Sequence, residues 1–329
     1  MRPETVGLIV NPMAGLGPQR NLDLARQVIE ALKPDRVLTG PGPLGGMAVP
    51  AAEIMPTTLS GPAATQFLAR EVAYAGMAAI VVVGGDGTMA DVAFALIEGG
   101  CRCPTLGIGA GSTNVGSLIS CQAADITHLA GCQFSPTSID GLLAGCNETL
   151  LALAFNDVVI GTTVVGTLDG ELVDLDALEW LAGKSVIGQP RPLRAGEARV
   201  VKRSPGKTVE VASGSKVGTV IVGFSHGRHF YGKAITGGVC LTAVVGLPAG
   251  CLVYEQPLVR VTLTANELLE AEPVRSTYVS LTEADAIQVS GLKAPAVLCA
   301  DGNPLKQLEP DDQVEIQVRL NLVEVLRPI

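Results

Sequence analysis

The spacing of apolar residues divides the chain into two textures. In the first third, short continuous apolar runs alternate with stretches whose apolar positions recur at helical spacing. Residues 5–10 form a β-prone run, followed by the loop Asn11-Pro12-Met13-Ala14-Gly15-Leu16-Gly17. Over 21–32, Leu22, Ala25, Val28, Ile29 and Leu32 line one helical face. Residues 36–38 read as a second strand, 39–62 as irregular chain rich in Gly and Pro, and 63–75 as helix. Residues 78–83 have the uninterrupted apolar character of a parallel strand buried on both faces. Gly84–Thr88 breaks that run. A helical pattern follows over 89–97, then a strand over 105–108 that ends in the Gly-rich turn 109–114. This order predicts an α/β domain with a doubly wound parallel sheet, whose ligands bind at loops after the carboxyl ends of the strands.

Beyond about residue 134 the pattern changes. Residues 150–155, 158–165, 217–224, 258–264, 276–280, 286–289 and 314–318 are β-prone runs separated by turn residues, with one helix over 175–181. They predict a second, mainly antiparallel, sandwich-like β domain. The expected division is 1–133 and 134–329.

Composition narrows the class. Hydrophobic residues are 47% of the 329, which is ample for a packed core. No apolar run reaches the length of a spanning helix, and no signal-peptide pattern opens the chain, so a cytoplasmic protein without a membrane span is expected. A net charge of −9 argues against nucleic-acid binding. The eight cysteines lack the paired CxxC spacing of a zinc site, and reduced, buried thiols are the expectation. Charge is uneven: 184–233 carries +8, leaving −17 elsewhere. Such a stretch either steers an anionic ligand or forms an ordinary solvated hairpin.

Three loops carry candidate chemistry. Val81-Val82-Val83-Gly84-Gly85-Asp86-Gly87-Thr88 joins a buried strand to a helix, where backbone amides and the helix dipole favour phosphate. Thr88 is placed to cap a helix starting near Met89. Asp86 beside a phosphate needs a task, such as taking a proton from an attacking hydroxyl or holding a metal. A Walker A loop is excluded, because Val201 stands where the first glycine before Gly206-Lys207-Thr208 is required. Gly40-x-Gly42-x-x-Gly45 is surrounded by prolines and precedes no helix pattern, so it is not read as a dinucleotide loop.

Asn11-Pro12-x-Ala14-Gly15, Gly84-Gly85-Asp86-Gly87-Thr88 and the turn Gly109-Ala110-Gly111-Ser112-Thr113-Asn114 resemble the superfamily that joins NAD kinases with diacylglycerol and sphingosine kinases. Further resemblances follow in the same order: Phe155-Asn156-Asp157, Ala234-Ile235-Thr236-Gly237-Gly238-Val239 and Cys299-Ala300-Asp301-Gly302. The segments Gly40–Gly46 and Ser60-Gly61-Pro62-Ala63 look nearest to the AcoX-type branch of ATP-NAD kinase-like proteins.

The resemblance implies a Rossmann-like N-terminal domain, a β-sandwich-like C-terminal domain and a homo-oligomer. It implies an ATP- and Mg²⁺-dependent kinase that phosphorylates a hydroxyl of a small molecule, with NAD(H) the leading acceptor. Another small alcohol, a lipid acceptor, or a non-catalytic nucleotide sensor are the alternatives. Asp86 would be catalytic. Asn11, Gly84, Gly85, Gly87, Thr88, Gly111, Ser112, Thr113 and Asn114 would bind phosphate or nucleotide. Asn156 and Asp157 would hold the acceptor. His226, Arg228 and Tyr231 belong to a segment that departs from the NAD kinase Ser-Thr-Ala pattern, and they are candidates for contacting a different acceptor. His128 and Trp180 read as structural.

Overall fold

The computed structural model describes residues 2–111, 116–168, 171–193, 195–224, 246–256, 269, 273 and 275–329. They form two compact units. Unit 1 holds Met1–Asp140 together with Asn321–Ile329, and unit 2 holds Gly141–Leu320. The division thus differs from the expected 133/134 boundary. The chain's last residues return to unit 1 because Leu326 is buried in that unit's core.

In unit 1, β1 (Thr5–Val10), β2 (Arg36–Thr39), β3 (Glu53–Ile54), β4 (Ala79–Gly84) and β5 (Thr105–Gly109) lie in the order β3-β2-β1-β4-β5, all parallel. A short strand β6 (Ile119–Gln122) continues the sheet beside β5. Strand β4 is buried along its whole length, as its unbroken apolar sequence requires.

Alternation along β1 assigns the helices to opposite faces. Val6, Leu8 and Val10 share a core with Leu22, Ala25, Val28 and Leu32 of α1 (Pro18–Leu32). On the other face Gly7 meets α2 (Gly61–Tyr74), which packs in turn on α3 (Asp86–Glu98). All three helix starts precede their expected positions. Pro18 sits at the first turn of α1, where its missing N–H costs no hydrogen bond. Within 39–62, expected to be irregular, Gly40-x-Gly42-x-x-Gly45 is a local turn with one 3₁₀ segment and opens no α-helix.

Unit 2 contains two antiparallel layers. The first strands are β7 (Phe134–Cys146), which begins in unit 1, and β8 (Thr149–Ala154). Next come β9 (Asp157–Gly161), β10 (Thr163–Leu168) and β11 (Glu171–Asp176), then α4 (Ala177–Leu181). The remaining strands are β12 (Arg199–Ser204), β13 (Lys207–Ser213), β14 (Thr219–Phe224), β15 (Ala249–Tyr254), β16 (Ser276–Leu281), β17 (Ala286–Ser290), β18 (Val297–Ala300), β19 (Asn303–Gln307) and β20 (Gln313–Pro328). One sheet runs β16-β15-β14-β9-β18-β19. The other contains β13-β12-β17 and the first half of β20, which leaves the unit after Leu320. Val158, Ile160, Val220 and Val222 of the first sheet share a core with Val200, Ile287, Val289, Val314 and Ile316 of the second. The expected strand over 158–165 is two strands broken at Thr162, and the run 258–264 lies outside the described residues.

The basic stretch is largely a β12–β13 hairpin region with local carboxylate partners. Lys184 pairs with Glu179, Arg199 with Glu210, and Lys202 with Asp285. This favours the solvated-hairpin reading over a steering patch. Among the described residues no cysteine is disulfide-bonded, and no helix is long and apolar enough to cross a membrane.

The β1–α2 contact yields a stability prediction. A Cβ at Gly7 would lie 2.0 Å from Val72 Cγ1. Gly7→Ala is therefore expected to destabilise the chain by about 1–3 kcal/mol through overpacking. The double variant with Val72→Ala should recover much of the loss in chemical denaturation. An unchanged denaturation midpoint in Gly7→Ala would show that this contact does not set the spacing of α2 on the sheet.

Candidate active site

Strand order in unit 1 reverses between β1 and β4, and the chain leaves those two strands towards opposite faces of the sheet. A crevice at such a reversal is where doubly wound sheets bind ligands. Asn11 stands directly after β1, and Gly85-Asp86-Gly87-Thr88 directly after β4. A hydrogen bond joins the two loops: Asn11 Nδ2 donates to Thr88 Oγ1 at 2.8 Å. Asn11 Oδ1 accepts from the Met13 amide at 2.9 Å, and the Asn11 amide donates to the Val83 carbonyl at 2.9 Å.

The helix after β4 begins at Asp86, three residues earlier than its apolar pattern suggested. Gly85 occupies the N-cap in extended conformation, and no side chain caps the helix. Thr88 is therefore not the cap. It lies in the first turn, buried, with its hydroxyl committed to Asn11. The first hydrogen bond of the helix runs from the Met89 amide to the Gly85 carbonyl. The preceding turn presents its backbone N–H groups at the positive end of the helix dipole, as an anion site requires. Gly84 is needed here for close packing: a Cβ would lie 2.6 Å from Thr88 Cβ.

Asp86 is half-buried at the start of α3. Its Oδ1 accepts from the Gly116 amide at 3.0 Å, and a Cβ on Gly116 would lie 2.5 Å from that oxygen. Glycine at 116 thus lets the third loop approach the carboxylate. Gly111 lies at the start of that loop, after the Ala110 amide donates to the Gly84 carbonyl at 2.7 Å. Ser112, Thr113 and Asn114 lie outside the described residues.

Asn21 was not singled out by the sequence pattern. It is fully buried in α1, and its Nδ2 donates to the carbonyls of Asn11 (3.0 Å) and Ala14 (3.2 Å). It braces the loop that carries Asn11 from beneath. The available signal was a polar residue on a helix face otherwise lined by Leu, Ala and Val.

Asn156 and Asp157 lie in unit 2, at the start of β9. The Asp301 carboxylate accepts three consecutive backbone N–H groups: Phe155 at 2.7 Å, Asn156 at 2.8 Å and Asp157 at 3.0 Å. Asp301 and Gly302 both have positive φ and form the two-residue turn between β18 and β19. The tight turn thus turns a carboxylate back onto the neighbouring segment. Two buried polar side chains stand there, one of them without a hydrogen-bond partner among the described residues. Asn156 Nδ2 is buried without a hydrogen bond, and the Asp157 side chain is 5% exposed. Burial pushes the Asp157 carboxyl well above its ordinary range, and the Asp301 charge adds to the shift. His226, Arg228 and Tyr231 lie outside the described residues, as does His229.

Residues 5–119 match the family model of the diacylglycerol kinase catalytic domain. An uncharacterized protein of Archaeoglobus fulgidus is 32% identical over 255 residues, covering 76% of this chain and 73% of its own. The chain belongs to one family with this Archaeoglobus protein, and its residues 5–119 carry the match to the diacylglycerol kinase catalytic domain. Solved structures share the fold. Yeast NADH kinase complexed with NADH superposes with a TM-score of 0.55 at 12% identity, covering 100% of this chain and 84% of that one. A diacylglycerol kinase from Bacillus anthracis str. Sterne gives 0.51 at 16% identity, covering 99% and 97%. The fold of these structures thus extends over the chain, and the GGDGT loop lies at the sheet reversal of unit 1.

The raised Asp157 carboxyl has a consequence for stability. Below the ordinary carboxyl pKa of about 4, both folded and unfolded chains hold the proton, and the group is neutral to stability. Above it the unfolded chain ionises while the folded one resists, so stability falls as pH rises towards the folded pKa. Asp157→Asn cannot ionise. It is expected to match the wild type near pH 4 and to have the higher melting temperature at pH 7. Equal melting temperatures at both pH values would refute the assignment.

Proposed function

We propose that the chain is a phosphotransferase that moves a phosphoryl group from ATP to a hydroxyl of a small molecule, with NAD(H) the leading acceptor. One observation carries the reading. A carboxylate, Asp86, stands at an uncapped helix N-terminus, on the loop after β4 and beside the loop after β1. A phosphate site alone has no use for a negative charge there. A kinase does, because the acceptor hydroxyl must lose its proton as it attacks.

The residues fit the nucleotide. Backbone amides of Gly87 and Thr88, supported by the α3 dipole, would receive phosphate oxygens, and Gly84 lets Thr88 pack closely over the end of β4. Asn11 would hold this loop in place through Thr88, with Gly111 and the following Ser112, Thr113 and Asn114 as further phosphate donors. Kinases of this superfamily use ATP with a divalent metal. Among the described residues no three His, Cys, Asp or Glu side chains cluster to hold a metal. Mg²⁺ would therefore be held chiefly by nucleotide phosphates, with Asp86 as the nearest protein carboxylate. When bound, the ion neutralises charge on the phosphates. Asp86 accepts the acceptor's proton, and the fixed amides hold the phosphoryl oxygens.

The acceptor reading rests on the 155–157 turn. An unpartnered amide donor at Asn156 and the buried carboxyl of Asp157 beside it complement adjacent hydroxyls, as on a ribose. The NADH carried by the structurally similar yeast kinase agrees with this. A lipid alcohol is the second reading, favoured by the family model over residues 5–119. His226, Arg228 and Tyr231 remain candidates for acceptor contacts.

ADP release from ATP–Mg²⁺ with NAD, NADH, polyols and lipid alcohols tests the proposal. NAD(H)-dependent release is expected. Asp86→Asn should lower it about 10²- to 10⁴-fold while nucleotide affinity, read by thermal shift, is retained. Asn156→Ala should raise KM for the acceptor and leave that for ATP unchanged. Phosphoryl transfer that survives Asp86→Asn removes the mechanism, and nucleotide binding without transfer to any alcohol makes the chain a sensor.

A further inference from the structure

We infer that Arg327, near the end of the chain, is a positioning residue for Asp86. The inference rests on the kinase reading only for its kinetic consequence.

Strand register brings Arg327 to the site. The last part of β20 runs parallel to β5, with Val325 opposite Thr105. Two residues further along β5, at Gly107, the neighbouring place is taken by Ile119 of β6. The β20 chain thus ends its pairing where β6 begins, and Arg327 stands at the junction. Its neighbour Leu326 is buried in the unit 1 core, and the Ile329 amide donates to the Gln133 carbonyl at 2.9 Å. The backbone on both sides of Arg327 is therefore anchored.

From that junction the guanidinium donates to two carbonyls, Ser117 through Nη2 and Ile119 through Nη1. The two-pronged fork of Arg suits acceptors two residues apart, and one ammonium could not match it with the same geometry. The segment it grips starts at Gly116, whose amide donates to Asp86 Oδ1. Thus Arg327 holds the 117–119 backbone, and that backbone holds the carboxylate.

The composition of the contact supports a positioning role over a stabilising one. Arg327 is half-buried, and among the described residues no carboxylate lies within ion-pair distance of it. Burial lowers its pKa, so the cation bears a desolvation cost that two neutral carbonyls only partly offset. The Ser117 hydroxyl is buried without a hydrogen bond, so the turn is held through its backbone and not through this side chain. A charged fork at a core edge, satisfied only by the carbonyls of one turn, fixes that turn's conformation at the expense of burial energy.

Three full-length variants test this: Arg327→Met, Arg327→Lys and Arg327→Met/Asp86→Asn. Two readouts are used. The first is hydrogen exchange at the Gly116 amide, which needs no activity. Arg327→Met should strip protection from Gly116 to the level seen in Asp86→Ala, which has no side-chain acceptor, and Arg327→Lys should not restore it. The second is turnover. Arg327→Met should lower kcat roughly 10- to 100-fold with KM for ATP unchanged, as a small misplacement of a reacting group does. It should cause no further loss in the Asp86→Asn background. Unchanged Gly116 protection overturns the proposal, as do losses that multiply in the double variant. If no alcohol is phosphorylated, the kinase reading fails while Gly116 exchange still decides the role of Arg327. If Arg327→Met does not fold, the Lys variant supplies both readouts.

Discussion

The hydrogen bond from Asn11 to Thr88 spans the one place where the chain must open. At the reversal between β1 and β4 the following helices leave for opposite faces, so their loops diverge by construction. A neutral hydrogen bond of this kind contributes only about 1 kcal/mol net. Its importance is geometric. Asn11 is fixed from beneath by Asn21 and from the side by the Val83 carbonyl. Thr88 is fixed by close packing over Gly84. The bond therefore joins two already rigid loops, and the helix start that carries Asp86 inherits their position. A hydrogen-bonded loop pair is a better support for charge-stabilising amides than a flexible one, since no reorganisation is needed when charge develops.

Unit 2 shows how the same chain treats buried carboxyls when they serve the fold. Burial raises Asp285, but hydrogen bonds from Ser204, Thr282 and Lys202 outweigh it and hold the group below its ordinary range. Asp312 follows the same rule, with the Glu309 amide, Asn147 and Lys306 as partners. Asp157 does not. It is as deeply buried, has a neighbouring Asp301 in place of a cation, and is shifted the other way. The contrast lies in the neighbours: a cation and hydrogen-bond donors hold Asp285 and Asp312 down, whereas burial and a second carboxylate push Asp157 up.

The parts of this arrangement visible in the sequence were those set by local pattern. The run 78–83 announces a strand buried on both faces, and Gly84-Gly85-Asp86-Gly87-Thr88 announces a phosphate corner, because both signals lie within a few consecutive residues. The helix start at Asp86 escapes the pattern because Gly85, Asp86 and Gly87 carry no apolar periodicity, although Asp86 and Gly87 already belong to the helix. The edges of the second unit were less visible. β12 and β13 are polar hairpin strands whose exposed faces leave a faint alternation, and β20 runs on past 318 through Leu320, Asn321 and Leu322 into the other unit. Asn21 and Gly116 were not legible, because their roles depend on contacts across loops. Asp301 was noticed for its turn, but its grip on three amides of a segment nearly 150 residues away in sequence has no local signature.

That distribution has a physical reason that bears on function. Phosphate recognition by a helix start uses backbone groups, so it needs only a short glycine-rich stretch and survives wide divergence of the surrounding chain. Recognition by side chains depends instead on long-range contacts, such as those by which Asp301 fixes the turn that carries Asn156 and Asp157. A carboxylate that accepts three successive N–H groups cannot be replaced by an amide, which would point a donor at a donor, or by a shorter or longer acid without shifting the turn. The 155–157 turn is thus held by one residue through backbone groups alone, while the side chains it presents are free to vary. Under the proposed kinase reading, acceptor specificity can then change at Asn156 and Asp157 with the Gly84–Thr88 corner in unit 1 left as it is.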